Sequence, residues 1–317
     1  MNYKENQLTQ ERISVLGVGT WSMGGTNKFG LSYGNVEEQA SIEAIHTLIK
    51  NGVNLIDTAP VYGADSASEK VVGIALQGGY REKVKIVTKF GNVNDPQTGK
   101  RVINNSYDTI MKESLQRLQT DYIDYYLMHY PDPNVPIEET MRALNELKLA
   151  GKILHIGLSN PTQELILEAE QYGQIEAIQL PYSMVNRQQE ELFKWCHNRG
   201  YFTMSYGSLG AGILSGAYRE LPHFDEKDIR YTFYPFFKDP MFSDIQCLLK
   251  EMDKIAHIHH VPVSHIALNW VTQKDFISAS LVGVANQDQA QENSQAFAFS
   301  LTDEEMLFLD HAIEKYL

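Results

Sequence analysis

The chain has 317 residues, 43% of them hydrophobic, and a formal net charge of -13. That length suits one α/β barrel domain spanning 1–317, and the acidity argues against a nucleic-acid partner, which calls for a basic face. No apolar run is long enough to cross a bilayer and residues 1–11 lack an apolar signal core, so a cytoplasmic protein with no membrane partner is expected.

In chain order, a weak strand pair within 1–13 precedes a strand at 13–20 (ISVLGVGT) that ends in Gly19 and Thr20. Residues 36–51 read as a helix, with Ile42, Ile45, Leu48 and Ile49 on one face and Gly52 as its stop. A strand at 53–57 ends in Asp57, and a turn through Pro60 leads to Tyr62 and Gly63. A helix at 68–77, a strand at 83–88 ending at Lys89, a polar loop at 91–103 and a helix at 105–118 follow. The alternation continues with a strand at 123–128 before His129, a helix at 137–150, and a strand at 153–158 before Ser159 and Asn160. A helix at 161–171 carries Pro161 in its first turn. A strand at 175–180 contains Gln179, a helix spans 187–199, and a strand at 201–205 leads to Tyr206. After a long Gly- and aromatic-rich segment, 206–240, come helices at 243–259 and 264–273, a last strand at 278–282, and helices at 287–297 and 303–316.

Eight strand–helix units predict parallel strands joined by crossover helices, closed as a (β/α)8 barrel with a long loop after strand seven and C-terminal helices. An open doubly wound sheet would want Gly-x-Gly-x-x-Gly after the first strand, but Gly17-Val18-Gly19 is followed by Thr20, Trp21 and Ser22.

The barrel gathers Asp57, Lys89, His129, Ser159, Asn160, Gln179 and Tyr206 at one mouth, with Tyr62 on the loop above Asp57. Taken singly, Asp57 reads as a cap, Lys89 as a solvated strand end, and Tyr62 and His129 as packing residues. Taken together they are a chemical device. Lys89 can pair with Asp57 and so offset the burial of both. A cation beside Tyr62 is expected to favour its phenolate and lower a pKa that is ordinarily about 10. His129 can donate to a substrate oxygen, the ring of Tyr206 can stack on a flat heterocycle, and Ser159, Asn160 and Gln179 can hold a carboxamide.

The motifs DTAPVYG, VTKFG, LMHYPDP, GLSN and SYGSLGAGILSG, with the tail LVGVANQDQAQEN, stand in the order seen in the aldo-keto reductase superfamily, which the chain resembles from about Val15 to Asn293. The resemblance implies an NAD(P)H-dependent oxidoreductase converting an aldehyde, ketone or aldose to an alcohol, or the reverse. Asp57, Tyr62, Lys89 and His129 would be the catalytic tetrad, with Tyr62 as proton donor and His129 orienting the carbonyl. Ser159, Asn160, Gln179 and Tyr206 would hold the nicotinamide. Gly19 and Thr20 would line the cofactor side, and Trp21, with Tyr62 and His129, the substrate side. Glu292 and Asn293 would contact adenine. A cofactor-binding regulatory subunit, similar to potassium-channel β-subunits, is the alternative.

Two departures from the family pattern matter. Gly207-Ser208 replaces the usual Ser-Pro after the stacking aromatic, so the pyrophosphate role passes to backbone groups of Ser208, Leu209 and Gly210. Where relatives place Lys, Ser and Arg around a 2′-phosphate, this chain has Gly283, Val284 and Gln289. Weak discrimination between NADP and NAD is therefore expected, unless Arg101 or Arg230 reaches the phosphate. No metal site is expected. His257 and His260 share a helical face but lack an acidic or cysteine partner at ligand spacing. The aromatic run Tyr231, Phe233, Tyr234, Phe236 and Phe237 suits a substrate lid, an oligomer contact or loop packing. Substrate, preferred direction and oligomeric state are left unspecified.

Overall fold

The computed structural model describes residues 1–27, 30–34, 36–91, 93–94, 101–102, 107–132 and 134–317, with only the backbone course at 93–94, 101–102 and 107–110. The strands are β1 (Tyr3–Glu5), β2 (Arg12–Ser14), β3 (Leu16–Gly19), β4 (Leu55–Asp57), β5 (Lys85–Phe90), β6 (Val93–Asn94), β7 (Arg101–Val102), β8 (Ile123–Met128), β9 (Ile153–Ser159), β10 (Ala177–Pro181), β11 (Phe202–Tyr206) and β12 (Ala279–Gly283). The helices are α1 (Glu38–Lys50), α2 (Ala67–Ala75), α3 (Tyr107–Leu118), α4 (Ile137–Leu149), α5 (Gln163–Ala169), α6 (Glu190–Asn198), α7 (Ile229–Phe233), α8 (Met241–His259), α9 (Val263–Thr272), α10 (Gln287–Gln295) and α11 (Asp303–Tyr316).

Eight of the strands, β3, β4, β5, β8, β9, β10, β11 and β12, form a closed parallel barrel. Both faces of each are covered, which is why they read as continuous apolar runs rather than alternating ones. Leu55, Val87, Leu127, Met204 and Leu281 fill the interior, together with Tyr125 and Phe202. A second apolar layer lies between the barrel and its helices.

Several boundaries differ from the sequence reading. Lys89 and Tyr206 lie inside β5 and β11 rather than just past them. Pro161 stands outside α5, whose N-cap is Thr162, its hydroxyl accepting from the Leu165 N–H. Inside segment 206–240 the chain forms α7 and two 3₁₀ turns. Parts of loop 91–103 and the start of the helix expected at 105–118 lie outside the described residues.

The pair expected within 1–13 is the antiparallel β1–β2 hairpin, in which Lys4 faces Ile13. It stops the lower end of the barrel. Ile13 joins the interior cluster, and Lys4 Nζ donates to the carbonyls of Thr272, Lys274 and Ile277 at 2.9, 3.2 and 2.6 Å, at the C-terminal end of α9 where the helix dipole favours a cation. Glu11 is bound there by Lys85, Tyr125 and His155. His155 Nδ1 also faces Glu176, which pairs with Lys148, and Lys85 is shared with Asp124 and its partner Arg81.

Burial alone would push His155 down, but its bonds to Glu11 and Glu176 carry its pKa up to about 8. A histidine whose folded pKa exceeds its unfolded value of about 6.5 adds stability that is complete below the unfolded value and is lost as pH rises through the folded one. The stability gap between the unmutated protein and His155→Gln is therefore expected to narrow by about 1–2 kcal/mol between pH 6 and pH 9 in urea titrations. A gap independent of pH contradicts a charged His155.

Candidate active site

The site lies at the C-terminal ends of the barrel strands. Asp57 ends β4 and Lys89 stands near the end of β5, adjacent strands in register. Lys89 is fully buried and Asp57 is 4% exposed. Lys89 Nζ donates to Asp57 Oδ2 at 2.6 Å, to the Thr58 carbonyl at 2.9 Å and to Tyr62 Oη at 3.4 Å. These account for all three hydrogens of the ammonium. Because the oxygen of Tyr62 faces a donor, its own proton must point elsewhere. The ring of Tyr62 lies edge-on to His129, 6.0 Å between centroids, and stacks on Trp21 at 6.0 Å.

The turn that carries Tyr62 is fixed by close backbone contact. A Cβ on Gly24 would come within 2.7 Å of the Tyr62 carbonyl, and one on Gly63, at φ +82°, within 2.1 Å of Gly24 O. Only glycine fits at either position. Below the turn, Ser68 Oγ joins two strand ends: it donates to the Thr20 carbonyl at 2.9 Å and shares hydrogen bonds with the hydroxyls of Thr20 at 2.6 Å and Thr58 at 3.0 Å. Thr20 is completely buried and braces the Asp57 carbonyl, so its side chain turns inward rather than lining the mouth. Gly19 ends β3 beside Gly283.

The charges set the protonation states. Burial, then the negative charge of Asp57, holds the Tyr62 phenol well above its ordinary pKa. Burial lowers Lys89, and Asp57 and Glu69 act against that fall. The expected lowering of Tyr62 is thus reversed. The ion pair is close to neutral as a unit, so the cation does not outweigh desolvation.

Gln179 Nε2 donates to Asp57 Oδ2 at 2.8 Å. That bond fixes the amide, leaving Oε1 turned to Ser159 Oγ at 3.4 Å. Asn160 adopts φ +54°, a conformation asparagine tolerates better than most residues. Its Nδ2 donates to the His129 carbonyl and to Ser159 Oγ, and its Oδ1 accepts from the Tyr206 hydroxyl at 2.8 Å. Asn160 therefore fixes the Tyr206 ring as much as it faces a ligand.

Past Tyr206, Gly207 sits at φ +72° with open space where a Cβ would stand. Ser208 is buried and its hydroxyl turns to Ser280, so only its backbone can serve a ligand. The N–H of Gly210 is given to Gly207 O. Leu209 packs against the core, and its carbonyl accepts from Gly212 and Leu214. In the tail, Gly283 is exposed and Val284 buried. Gln289 Oε1 accepts from the Ala285 N–H. Glu292 is exposed and accepts from Ser264, while Asn293 is buried.

Arg230 is held against the loop that carries Tyr33. It binds both Asp228 carboxylate oxygens and the Tyr33 carbonyl. The side chain of Arg101 lies outside the described residues. The aromatic run divides: Phe236 and Phe237 are buried, Tyr231 and Phe233 exposed, and Tyr234 bonds the Tyr33 hydroxyl at 2.7 Å. His259 pairs with Glu305, and His260 ends α8 at φ +55°. Among the described residues no cluster of histidine, cysteine and acidic side chains is placed to hold a metal ion. The sequence reading missed Gly24, Ser68 and Tyr33. Gly30 and Gly34 around an aromatic residue were the available signal for Tyr33, since long loops at a barrel mouth often bind substrate.

Residues 15–314 match the model of the aldo/keto reductase family. The chain is 34% identical to the aldo-keto reductase YhdN of Bacillus subtilis (strain 168), over 99% of this chain and 94% of that protein. It is 33% identical to the NADH-specific methylglyoxal reductase of Escherichia coli (strain K12), over 93% of each. The glycerol dehydrogenase AKR11B4 from Gluconobacter oxydans superposes with a TM-score of 0.86 at 28% identity, covering 99% of this chain and 95% of that one.

Lys89→Met would leave Asp57 buried without its cation. That is expected to cost about 3–5 kcal/mol in urea unfolding, and adding Asp57→Asn should restore a large part of it. A double variant no more stable than the single one contradicts the compensated pair.

Proposed function

Because the chain belongs to the aldo/keto reductase family, we propose that its NAD(P)-dependent carbonyl–alcohol oxidoreduction is carried out at the Asp57, Tyr62, Lys89 and His129 cluster, with the whole chain acting as one barrel domain. The observation that carries the reading is the donor pattern of Lys89, which leaves the Tyr62 proton free to point to a substrate oxygen. When bound, the nicotinamide supplies the hydride. Tyr62 donates its proton to the oxygen of the forming alcohol. As negative charge grows on Tyr62 Oη, the long contact to Lys89 strengthens, which is stabilisation specific to the transition state. His129 orients the carbonyl beside Tyr62, and Trp21 forms the facing wall. The regulatory-subunit alternative is not favoured, since the similar proteins named above are two reductases and a dehydrogenase.

The carboxamide of a nicotinamide both donates and accepts, and Gln179 Oε1 and Ser159 Oγ offer the complementary groups. Tyr206, fixed by Asn160, supplies the stacking face. The backbone of Ser208, Leu209 and Gly210 follows the open turn at Gly207, while Gly19 ends β3 beside Gly283 and would border the cofactor there. Glu292 and Asn293 would hold the adenine of a bound cofactor, with Gln289 on the same helix. Gly283, Val284 and Gln289 bring no charge to a 2′-phosphate, which normally calls for a cation or several donors, and Arg230 is already bound by Asp228. NADH is therefore used at least as well as NADPH, in keeping with the NADH-specific relative. The methylglyoxal and glycerol of the relatives' names point to a small oxygenated carbonyl or alcohol as substrate. Among the described residues no helix is long and apolar enough to cross a membrane, and we place the protein in the cytoplasm.

The test is kcat/KM with NADH and NADPH for the unmutated protein and Tyr62→Phe. The variant should lose roughly 10²–10⁴-fold in turnover while its nucleotide affinity changes little. Near-normal turnover with chemistry rate-limiting removes Tyr62 from the mechanism. An NADPH preference of about a hundredfold, which amounts to roughly the 1–3 kcal/mol of a full charged hydrogen bond to the 2′-phosphate, overturns the cofactor reading.

A further inference from the structure

Two loops meet beside the aromatic wall that contains Tyr62. Ser32 forms a parallel bridge with Asp228. Its N–H donates to the Lys227 carbonyl at 3.1 Å, and the Ile229 N–H donates to the Ser32 carbonyl at 3.0 Å. Arg230 secures the seam through Asp228 and the Tyr33 carbonyl. Next to that seam the hydroxyls of Tyr33 and Tyr234, one from each loop, lie 2.7 Å apart.

This pair belongs to the same aromatic wall as Tyr62. Tyr33 meets Trp21 edge-on at 5.3 Å, and Trp21 stacks on Tyr62 at 6.0 Å. Phe233 closes on Trp21 from the side at 6.4 Å. Burial raises the pKa of both phenols, so each keeps its proton. Two phenols carry two protons, and their mutual bond uses one. Among the described residues the second proton meets no further protein acceptor, and on these half-buried side chains it is available to a ligand. The surrounding rings of Trp21 and Phe233 are poor acceptors.

We propose that the Tyr33–Tyr234 hydroxyl pair is a second polar anchor for substrate. It donates to a hydroxyl or carbonyl oxygen on one of the two carbons next to the reacting carbonyl, and so selects short hydroxyaldehydes, hydroxyketones and dicarbonyls over plain aldehydes. The proposal rests on Tyr62 being the proton donor at the reacting oxygen, because that sets which end of the substrate meets the pair. Trp21 touches both Tyr33 and Tyr62, so the pair and Tyr62 stand on the same wall of the mouth.

The experiment compares kcat/KM for DL-glyceraldehyde and propanal in the unmutated protein, Tyr33→Phe and Tyr234→Phe. The substrates share a three-carbon skeleton and differ in hydroxyls, and differences in aldehyde hydration cancel when variant is compared with unmutated protein. The double variant Tyr33→Phe/Tyr234→Phe, which removes both protons, should lower the glyceraldehyde-to-propanal ratio about tenfold, the effect of losing one hydrogen bond, and so should the single variant that removes the hydroxyl facing the substrate. The two tyrosines stand on separate loops, and folding of each variant is checked by its retained turnover of propanal. An unchanged ratio, or equal losses on both substrates, overturns the proposal and leaves the pair as a fastening of the cover. Failure of the Tyr62 reading registers separately, as retained turnover in Tyr62→Phe whatever the ratio does.

Discussion

The ion pair between Lys89 and Asp57 is the constraint around which the mouth of this barrel is built. Neither charge is tolerable alone at that depth, because burying an unpaired ammonium or carboxylate costs several kcal/mol or more. Together they form a nearly neutral unit in which all three hydrogens of the ammonium are assigned. Lys89 reaches Thr58 and Tyr62, and Asp57 receives Gln179. One carboxylate oxygen thus couples the tyrosine on one side of the mouth to the amide cradle on the other. Side chains from β4, β5 and β10 and the turn after β4 meet at this point, and closure of the barrel is what brings them together.

Compensation also decides what Tyr62 can do. A free cation beside it would favour the phenolate, as the sequence alone suggests. With Asp57 2.6 Å from the ammonium, burial and the carboxylate dominate instead, and the phenol keeps its proton. Such a group is poised to give a proton to a forming alkoxide, a stronger base than phenolate. The reverse reaction would, on the proposed mechanism, need the phenolate and so be favoured by rising pH. On the proposed mechanism Lys89 acts late, as charge develops on Tyr62 Oη, rather than by ionising the tyrosine beforehand.

What could be read from the sequence was the part governed by local pattern. The eight apolar runs announce buried parallel strands, and the polar residues that end them, such as Asp57 and His129, follow from barrel geometry. Contacts between distant loops left no such trace. Nothing in the segment around Gly24 shows that its backbone must touch Gly63, and the Tyr33–Tyr234 bond joins residues 201 positions apart. Gln179 and Asn160 were recognisable as amides at strand ends, but only the folded chain shows that one amide is locked onto Asp57 and the other onto Tyr206. Boundaries slipped for a physical reason as well: Lys89 and Tyr206 remain in ladder pairing with Leu127 and Leu281, so their strands outlast their apolar runs.

The central claim is that Tyr62 is a neutral phenol beside a compensated ion pair. It is tested most directly by an NMR titration of protein carrying isotope-labelled tyrosine, with the Tyr62 signal identified by its loss in Tyr62→Phe. The account predicts that Tyr62 is still protonated at about pH 10, where an unperturbed tyrosine is half ionised. Ionisation of Tyr62 near neutral pH would contradict it, and would mean that Lys89 acts as an uncompensated cation.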